Sequence, residues 1–220
     1  MPDLSFRIEG VQVVPYAVSP LLAFDLHVAN STSEPIHTVV LRCQVQIEAV
    51  RRRYSAAEQE RMGDLFGEPH RWGQTLRTML WTQTSIVVPG FTGAAQIELP
   101  VSCTFDFNVA TVKYFAGLEE GDIPLCFQFS GTVFYEPAQG EPSPGALQVA
   151  PISWDREAKF RLPVRTWREM MDRYYPNSAW LCLSREVFDR LRQRKAQMGA
   201  PTWERMFEAL LEEITQGVAS

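Results

Sequence analysis

From Ile123 to Tyr135 the chain reads IPLCFQFSGTVFY, with Ile123, Leu125, Phe127, Phe129, Val133 and Tyr135 apolar or aromatic and Cys126, Gln128, Ser130 and Thr132 set between them. A period of two with one apolar side marks a half-buried β-strand, and this strand is expected to be central. Gly131 interrupts the row between bulky neighbours, which predicts a bulge or a close backbone approach there. The same alternation recurs along the first part of the chain. Leu4, Phe6 and Ile8 predict an opening strand broken by Gly10 and Pro15. Leu22, Phe24, Leu26 and Val28 predict a second, and Val39, Leu41, Cys43, Val45 and Ile47 a third. The turn-forming NSTSEP stretch lies between the last two, so they are expected to pair antiparallel with one wet face.

The pattern changes at Arg51. Ser55 followed by Glu58 is a capping-box signature, and Met62, Leu65 and Phe66 can share a helical face, so a short helix is predicted from Ala56 to Leu65. Strand alternation returns over Met79 to Val88 and again from Ile97 through Phe105 and Phe107, where Pro100 points to an edge strand or a bulge. Val109 to Leu118 fits a short helix and a strand equally well. Glu136 to Gly145 is rich in Pro and Gly and unpatterned, which predicts a loop. One further extended pass, through Ala158, Phe160 and Leu162, gives way to helical spacing. Val164, Trp167, Met170, Met171 and Tyr174 share one helical face, a second helix is expected from Ser184 to Met198, and Trp203, Met206, Phe207, Leu210, Leu211 and Ile214 form the stripe of a third.

About seven antiparallel strands followed by helices indicate an α+β protein: an antiparallel β-sandwich-like region with a helical insertion and a C-terminal helical segment. The expected division is a β domain over 1–162, with its insertion at 51–78, and a helical segment over 163–220 packed on it. A chain of 220 residues buries roughly 70% of its unfolded surface, so neither disulfides nor metals are needed to fold it.

Charge and cysteines narrow the function classes. Residues 1–150 hold 9 Lys and Arg against 16 Asp and Glu, whereas residues 151–220 hold 12 against 10. The acidic front part would repel phosphate backbones, which argues against nucleic acid as a partner. The opening residues lack a charged segment followed by an apolar one, and no apolar run approaches a membrane span, so a cytoplasmic protein is expected. Cys43, Cys103, Cys126 and Cys182 form no C-x-x-C pair, and the first two fall in apolar rows as small core residues. His27, His37 and His70 are isolated. Ser130 lies inside a strand rather than on a nucleophile elbow, Glu119, Glu120 and Asp122 sit in a turn, and the phosphate-loop motifs are missing. Neither a metal nor another cofactor is therefore expected.

Arg51, Arg52, Arg53 and Tyr54 run three cations into a helix start that itself favours anions. Phe66, Trp72, Trp81 and Phe91 follow nearby, and Arg with large aromatics is the composition that anchors interfaces. Some of these aromatics must fill the core. The surface expected to bind a partner comprises Arg51, Arg52, Arg53, Tyr54, Phe66, Trp72 and Trp81.

Four stretches, PLLAFDLHVANSTSEPIHTVVLRCQVQIE, RRRYSAAEQERMGDLFGEPHRWG, YFAGLEEGDIPLCFQFSGTVFY and RLPVRTWREMMDRYYPNSAWLCLS, resemble a bacterial domain-of-unknown-function family found near genes of actinobacterial-type nickel-iron uptake hydrogenases. That resemblance implies an accessory or maturation role beside such an enzyme, with a hydrogenase subunit or maturation factor as partner, and carries no catalytic or binding residue over. VVLRCQVQIE, LCFQFSGTVF and PNSAWLCLSREVFDRL are more weakly similar to the export chaperone SecB, from which the insertion departs; this second likeness implies an alternative sheet-and-helix fold and a polypeptide-binding role. The expectation is a non-catalytic, cytoplasmic protein-interaction module. Its rivals are a small-molecule or metal-handling enzyme with a site built from scattered residues such as the three histidines and the carboxylates, and a self-associating structural subunit that uses an open sheet edge to form a homo-oligomer.

Overall fold

A computed structural model of the chain describes residues 1–104, 109–136 and 146–218, with side chains to residue 215. The predicted continuation of a strand through Phe105 and Phe107 and the predicted loop over 137–145 lie outside the described residues. The chain forms two compact units, Met1–Ser178 and Ala179–Ser220.

The first unit is an antiparallel sandwich of two sheets. One sheet has the order β1 (Leu4–Val13), β2 (Leu21–Asn30) and β5 (Ala94–Ser102). The other runs β4 (Met79–Val88), β3 (Ile36–Ile47), β6 (Asp122–Tyr135) and β7 (Gln148–Pro151), with β8 (Glu157–Pro163) also paired to β6. β6 is the axis of this larger sheet. β3 covers one of its edges from Leu125 to Tyr135, while β8 and then β7 share the other. At Gly131 φ is +141°, and an added Cβ would stand 2.0 Å from the Val40 carbonyl oxygen, so the interruption marks a close approach of β3 and β6. Gly10 does not end β1; the strand passes it through a register shift. Pro100 lies on β5, an edge strand, where its missing N–H costs no ladder bond.

The expected pairing of the second and third strands does not form. β2 pairs with β1 and β5, whereas β3 crosses to the other sheet. The reason lies in the NSTSEP stretch. Asn30 is buried, and its Oδ1 accepts from the Asp3 N–H at 3.0 Å and the Thr32 hydroxyl at 3.0 Å, while its Nδ2 donates to the Glu34 carbonyl at 3.0 Å. These bonds shape an arch between the sheets rather than a hairpin turn. Alternation alone fits both partners.

Between the sheets lies an aromatic core. Phe6 stacks on Phe129 with centroids 4.4 Å apart, and Phe24 meets the edges or faces of Phe127, Phe160 and Trp81 at 5.0, 5.8 and 6.4 Å. The ambiguous segment Val109 to Leu118 folds as a helix over Val109–Gly117. The predicted first helix divides at Met62 into α1 (Ala56–Arg61) and α2 (Gly63–Phe66), followed by the single turn α3 (Trp72–Thr75). Next come α4 (Val109–Gly117) and α5 (Val164–Tyr174). Phe115 of α4 packs 5.0 Å from Trp81 and 5.3 Å from Trp167 of α5, so these helices extend the core. α5 thus belongs to the first unit, whose boundary falls after it at Ser178 rather than at residue 162.

The second unit holds α6 (Arg185–Gln197) and α7 (Trp203–Val218), both at the positions their sequence pattern predicts. Ser184 caps α6 by accepting from the Val187 N–H. Among the described residues, no helix is long and apolar enough to cross a membrane.

Candidate functional site

The chain leaves β3 at Ile47 and enters α1 through Arg51, Arg52 and Arg53. The capping box forms as predicted: the Ser55 hydroxyl accepts from the Glu58 N–H at 3.1 Å, and the Glu58 carboxylate accepts from the Ser55 N–H at 3.0 Å. That carboxylate does more than cap. Arg52 donates to both its oxygens, at 2.9 and 2.8 Å, and the Glu119 N–H donates to Oε1 at 2.8 Å. The Arg52 and Glu58 side chains are 8% and 5% exposed, which makes the pair a buried, bidentate ion pair.

Arg52 also ties the insertion to the turn before β6. Its Nε donates to the Asp122 carbonyl, Nη2 to the Glu120 carbonyl and Nη1 to the Arg53 carbonyl, which with the two bonds to Glu58 engages all three guanidinium nitrogens. Burial alone would raise the Glu58 pKa, but Arg52 and the backbone donors of Glu119 and Ser55 outweigh it and hold the carboxyl at about 2. Burial pulls the Arg52 pKa down, but Glu58 together with Tyr114 and Tyr54 raises it on balance, so the guanidinium stays charged.

Beside this clamp opens a polar cleft of about 600 Å³, lined by Arg52, Ser55, Glu58, Arg61, Glu119, Glu120 and Arg168. Its charges are largely matched: Arg61 pairs with Glu119, and Arg168 donates to the Leu118 carbonyl. The arrangement fastens three segments of chain to one another. The spacing of Ser55 and Glu58 made the cap legible in sequence. Glu119, whose N–H bonds Glu58, and Arg168, which lines the same cleft, are 61 and 110 residues further along than Glu58, and nothing in the local pattern links them to it.

The residues expected to form a partner surface part company. Arg51 and Arg53 are exposed. Arg52 is committed to the clamp, and its guanidinium lies 5.1 Å from the Tyr54 ring. Phe66, Trp72 and Trp81 are buried, so they act in the core and not on a surface. Trp72 meets the Tyr54 ring at 5.2 Å and the Phe66 ring at 5.8 Å, and Phe66 meets Tyr114 at 6.2 Å. Trp81 lies further into the same core, against Phe24 and Phe115, and Phe115 meets Tyr114 at 6.0 Å. Phe91, also named with them, is half-buried and bonds Ile36 through its backbone. The cause is the apolar demand of the insertion itself: its short helices can be fixed only by turning their large side chains inward.

At the heart of this group the Tyr54 hydroxyl donates to the Ala49 carbonyl at 2.8 Å, which leaves the Tyr114 hydroxyl to donate to Tyr54, also at 2.8 Å. Burial raises the pKa of both phenols, so they stay neutral donors.

The other candidate groups stay apart. His27 lies on β2 between Arg7 and Gln96, His37 on β3 of the opposite sheet, and His70 in the exposed turn before α3. No cluster of three His, Cys, Asp or Glu side chains fit to hold a metal occurs among the described residues. Cys43, Cys103 and Cys126 are buried and Cys182 is exposed. Burial pushes the Cys103 thiol up to about 12 and raises Cys43 and Cys126 as well. As unionised thiols they are poor nucleophiles and poor ligands.

A surface feature that the sequence reading passed over lies on the outer face of the larger sheet. Val87, Val40, Thr132 and Pro151 stand in one cross-strand row over β4, β3, β6 and β7, and Thr38, Phe134 and Val149 form the next. Val87 and Val149 are 66% and 60% exposed, and Val40 is exposed as well. The rows beyond turn polar, through Ser85, Arg42 and Ser130 to Gln83, Gln44 and Gln128. Val87 and Val40 are in the sequence as members of alternating strands; the signal was their apolar character at wet positions, which stands out only once the register is known.

Together these observations define an α+β protein built on an antiparallel sandwich, with a polar clamp at one end and an apolar strip on one sheet face. The chain belongs to the family of unknown function DUF6084, whose model matches residues 1–219. No curated protein matches it. Among solved structures it is similar to the CARDB domain of a Pyrococcus furiosus protein in complex with di-metal ions, at 14% identity and a TM-score of 0.29 over 74% of this chain and 92% of that one. It is also similar to a protein described as late embryogenesis abundant, at 12% identity and a TM-score of 0.33 over 74% of this chain and 73% of that one. A β-glucosidase from Kluyveromyces marxianus matches at 9% identity and a TM-score of 0.25, over 73% of this chain and 15% of the enzyme.

Proposed function

We propose that the protein is a non-catalytic interaction module whose first unit docks a protein partner on the outer face of its larger sheet. The observation that carries this reading is the apolar strip: Val87, Val40, Phe134 and Val149 occupy neighbouring places across four strands, on a face where alternation normally puts polar side chains. The ionisable groups support it from the other direction, since Arg52 and Glu58, a charged pair buried at the insertion, neutralise each other and bind the chain to itself. The partner suited to this face is a protein surface with its own apolar patch, rimmed by groups that can bond Arg42 and the row of glutamines. The resemblance to a family found beside hydrogenase genes supplies the setting, namely assistance in assembly or maturation of a nickel-iron hydrogenase, in the cytoplasm.

The test is complementation. In the native host, a deletion strain is expected to lose hydrogenase activity, the wild-type chain to restore it, and a V87E/V149E variant that melts normally to fail. Full hydrogenase activity in the deletion strain removes the hydrogenase setting. Restoration by V87E/V149E removes the sheet face.

A further inference from the structure

We infer that the second unit, Ala179–Ser220, is a self-association device whose occupant is the same hairpin of a second copy of this chain. This rests on a surface separate from the sheet face proposed above. α6 and α7 are joined by a well-fixed turn: Lys195 Nζ donates to the carbonyls of Ala200 at 2.8 Å and Pro201 at 3.1 Å and lies 5.8 Å from the Trp203 ring. Trp203 packs against Phe188 of α6 and Phe207 of α7, and Arg194 pairs with Glu213 at 3.5 Å. These contacts set the hairpin but leave much of its apolar surface open. Met206 is buried, while Phe207, Leu211 and Ile214, spaced four and three residues apart along one stripe of α7, are exposed, the last two to 64% and 62%. Val187 and Phe188 of α6 are exposed as well. Two helices of this length do not bury enough to stand alone, so the stripe calls for a cover.

Charge says which cover fits. α6 carries Arg185, Arg190, Arg192, Arg194 and Lys195 against Glu186 and Asp189; α7 carries Glu204, Glu208, Glu212 and Glu213 against Arg205. One helix is basic and its neighbour equally acidic. A two-fold axis that lays α7 of each copy across α6 of the other sets opposite signs together at both crossings and covers both stripes at once, giving a closed four-helix dimer. A partner of a single charge would meet repulsion on one of the two helices.

The 220-residue chain, with a mass of 25.0 kDa, is expected to run at twice that mass by light scattering across a dilution series. L211E/I214E is expected to halve the mass while the main melting transition stays in place. Two charge-reversed chains, R190E/R192E and E208R/E212R, are each expected to be monomeric alone and to form a one-to-one pair when mixed, because only the mixed pair restores opposite signs at both crossings. A wild-type monomer at every concentration overturns the inference. So does a wild-type dimer that L211E/I214E leaves intact, which would place the interface elsewhere, and so does a fall in the main melting transition of L211E/I214E without a change in mass, which would mean that the stripe is covered within one chain. Failure of the two reversed chains to pair overturns the crossing of α6 with α7.

Discussion

The first unit and the second solve the problem of apolar surface in opposite ways. In Met1–Ser178 the two sheets face each other, and Phe24, Phe127, Phe129, Leu41, Val45 and Tyr114 are almost wholly removed from water. In Ala179–Ser220 the helices are just as regular, with caps, ion pairs and an apolar stripe, yet Leu211, Ile214 and Phe188 remain exposed. The difference teaches that regular secondary structure and a satisfied core are separate achievements. A sheet pair closes on itself, whereas a two-helix hairpin has an inner side too narrow to hide both stripes.

Substitutions in either unit test this contrast, and the largest effect is expected at Gly131. A Cβ there meets the Val40 carbonyl oxygen at 2.0 Å in a backbone conformation that L side chains rarely adopt, so Gly131→Ala should part β3 from β6. A loss of about 4 kcal/mol or more is expected, read as a collapsed denaturant midpoint or as insoluble protein. Next is Glu58. Glu58→Ala leaves the Arg52 guanidinium buried without its carboxylate, at a cost of about 3 kcal/mol in urea unfolding.

The same residue gives the first unit a pH dependence. Because the Glu58 carboxyl is held at about 2, below its ordinary 4.5, its contribution is complete above pH 4.5 and is lost as pH falls from there toward 2. Unfolding followed over that range should show stability dropping with acid in the wild type and a shallower slope in Glu58→Gln. A smaller effect is expected from Tyr114→Phe, which removes the donor to Tyr54 inside the aromatic group; a loss of about 1 kcal/mol is expected in the same unfolding measurement. The smallest concerns the second unit. Ending the chain after Ser178 should move the melting of the first unit by less than about 1 kcal/mol, since α5 and the whole sandwich remain. A large fall in melting temperature on that truncation would erase the contrast.

Much of the architecture was readable along the chain because it is written in local periodicities. The alternation over Met79 to Val88, the capping box at Ser55 and Glu58, the starts of α6 and α7 and the central place of the Ile123 to Tyr135 strand each need only near neighbours to be recognised. Gly131 was legible for the same reason, as a missing side chain in an otherwise bulky row. Residues of the insertion were harder to place. Arg with aromatics has the composition of an interface and of a core braced by one buried ion pair, and the two differ only in which way the rings point.

What the order of residues determined by itself was where strands and helices run, because backbone dihedrals and side-chain alternation are settled within a few residues. Which strands become neighbours was decided by the tertiary fold: β2 and β3 lie next to each other in sequence and in different sheets in space, because a buried Asn30 turns the connection into an arch. The fate of charged and aromatic side chains was decided there too. Arg52 becomes a brace only when, beside nearby Glu58, the carbonyls of Glu120 and Asp122 arrive from a distant segment to accept its hydrogen bonds, and Val40 and Val87 become surface only when the register sets them side by side. Pairing energies of this kind depend on distance in space, which separation along the chain does not encode.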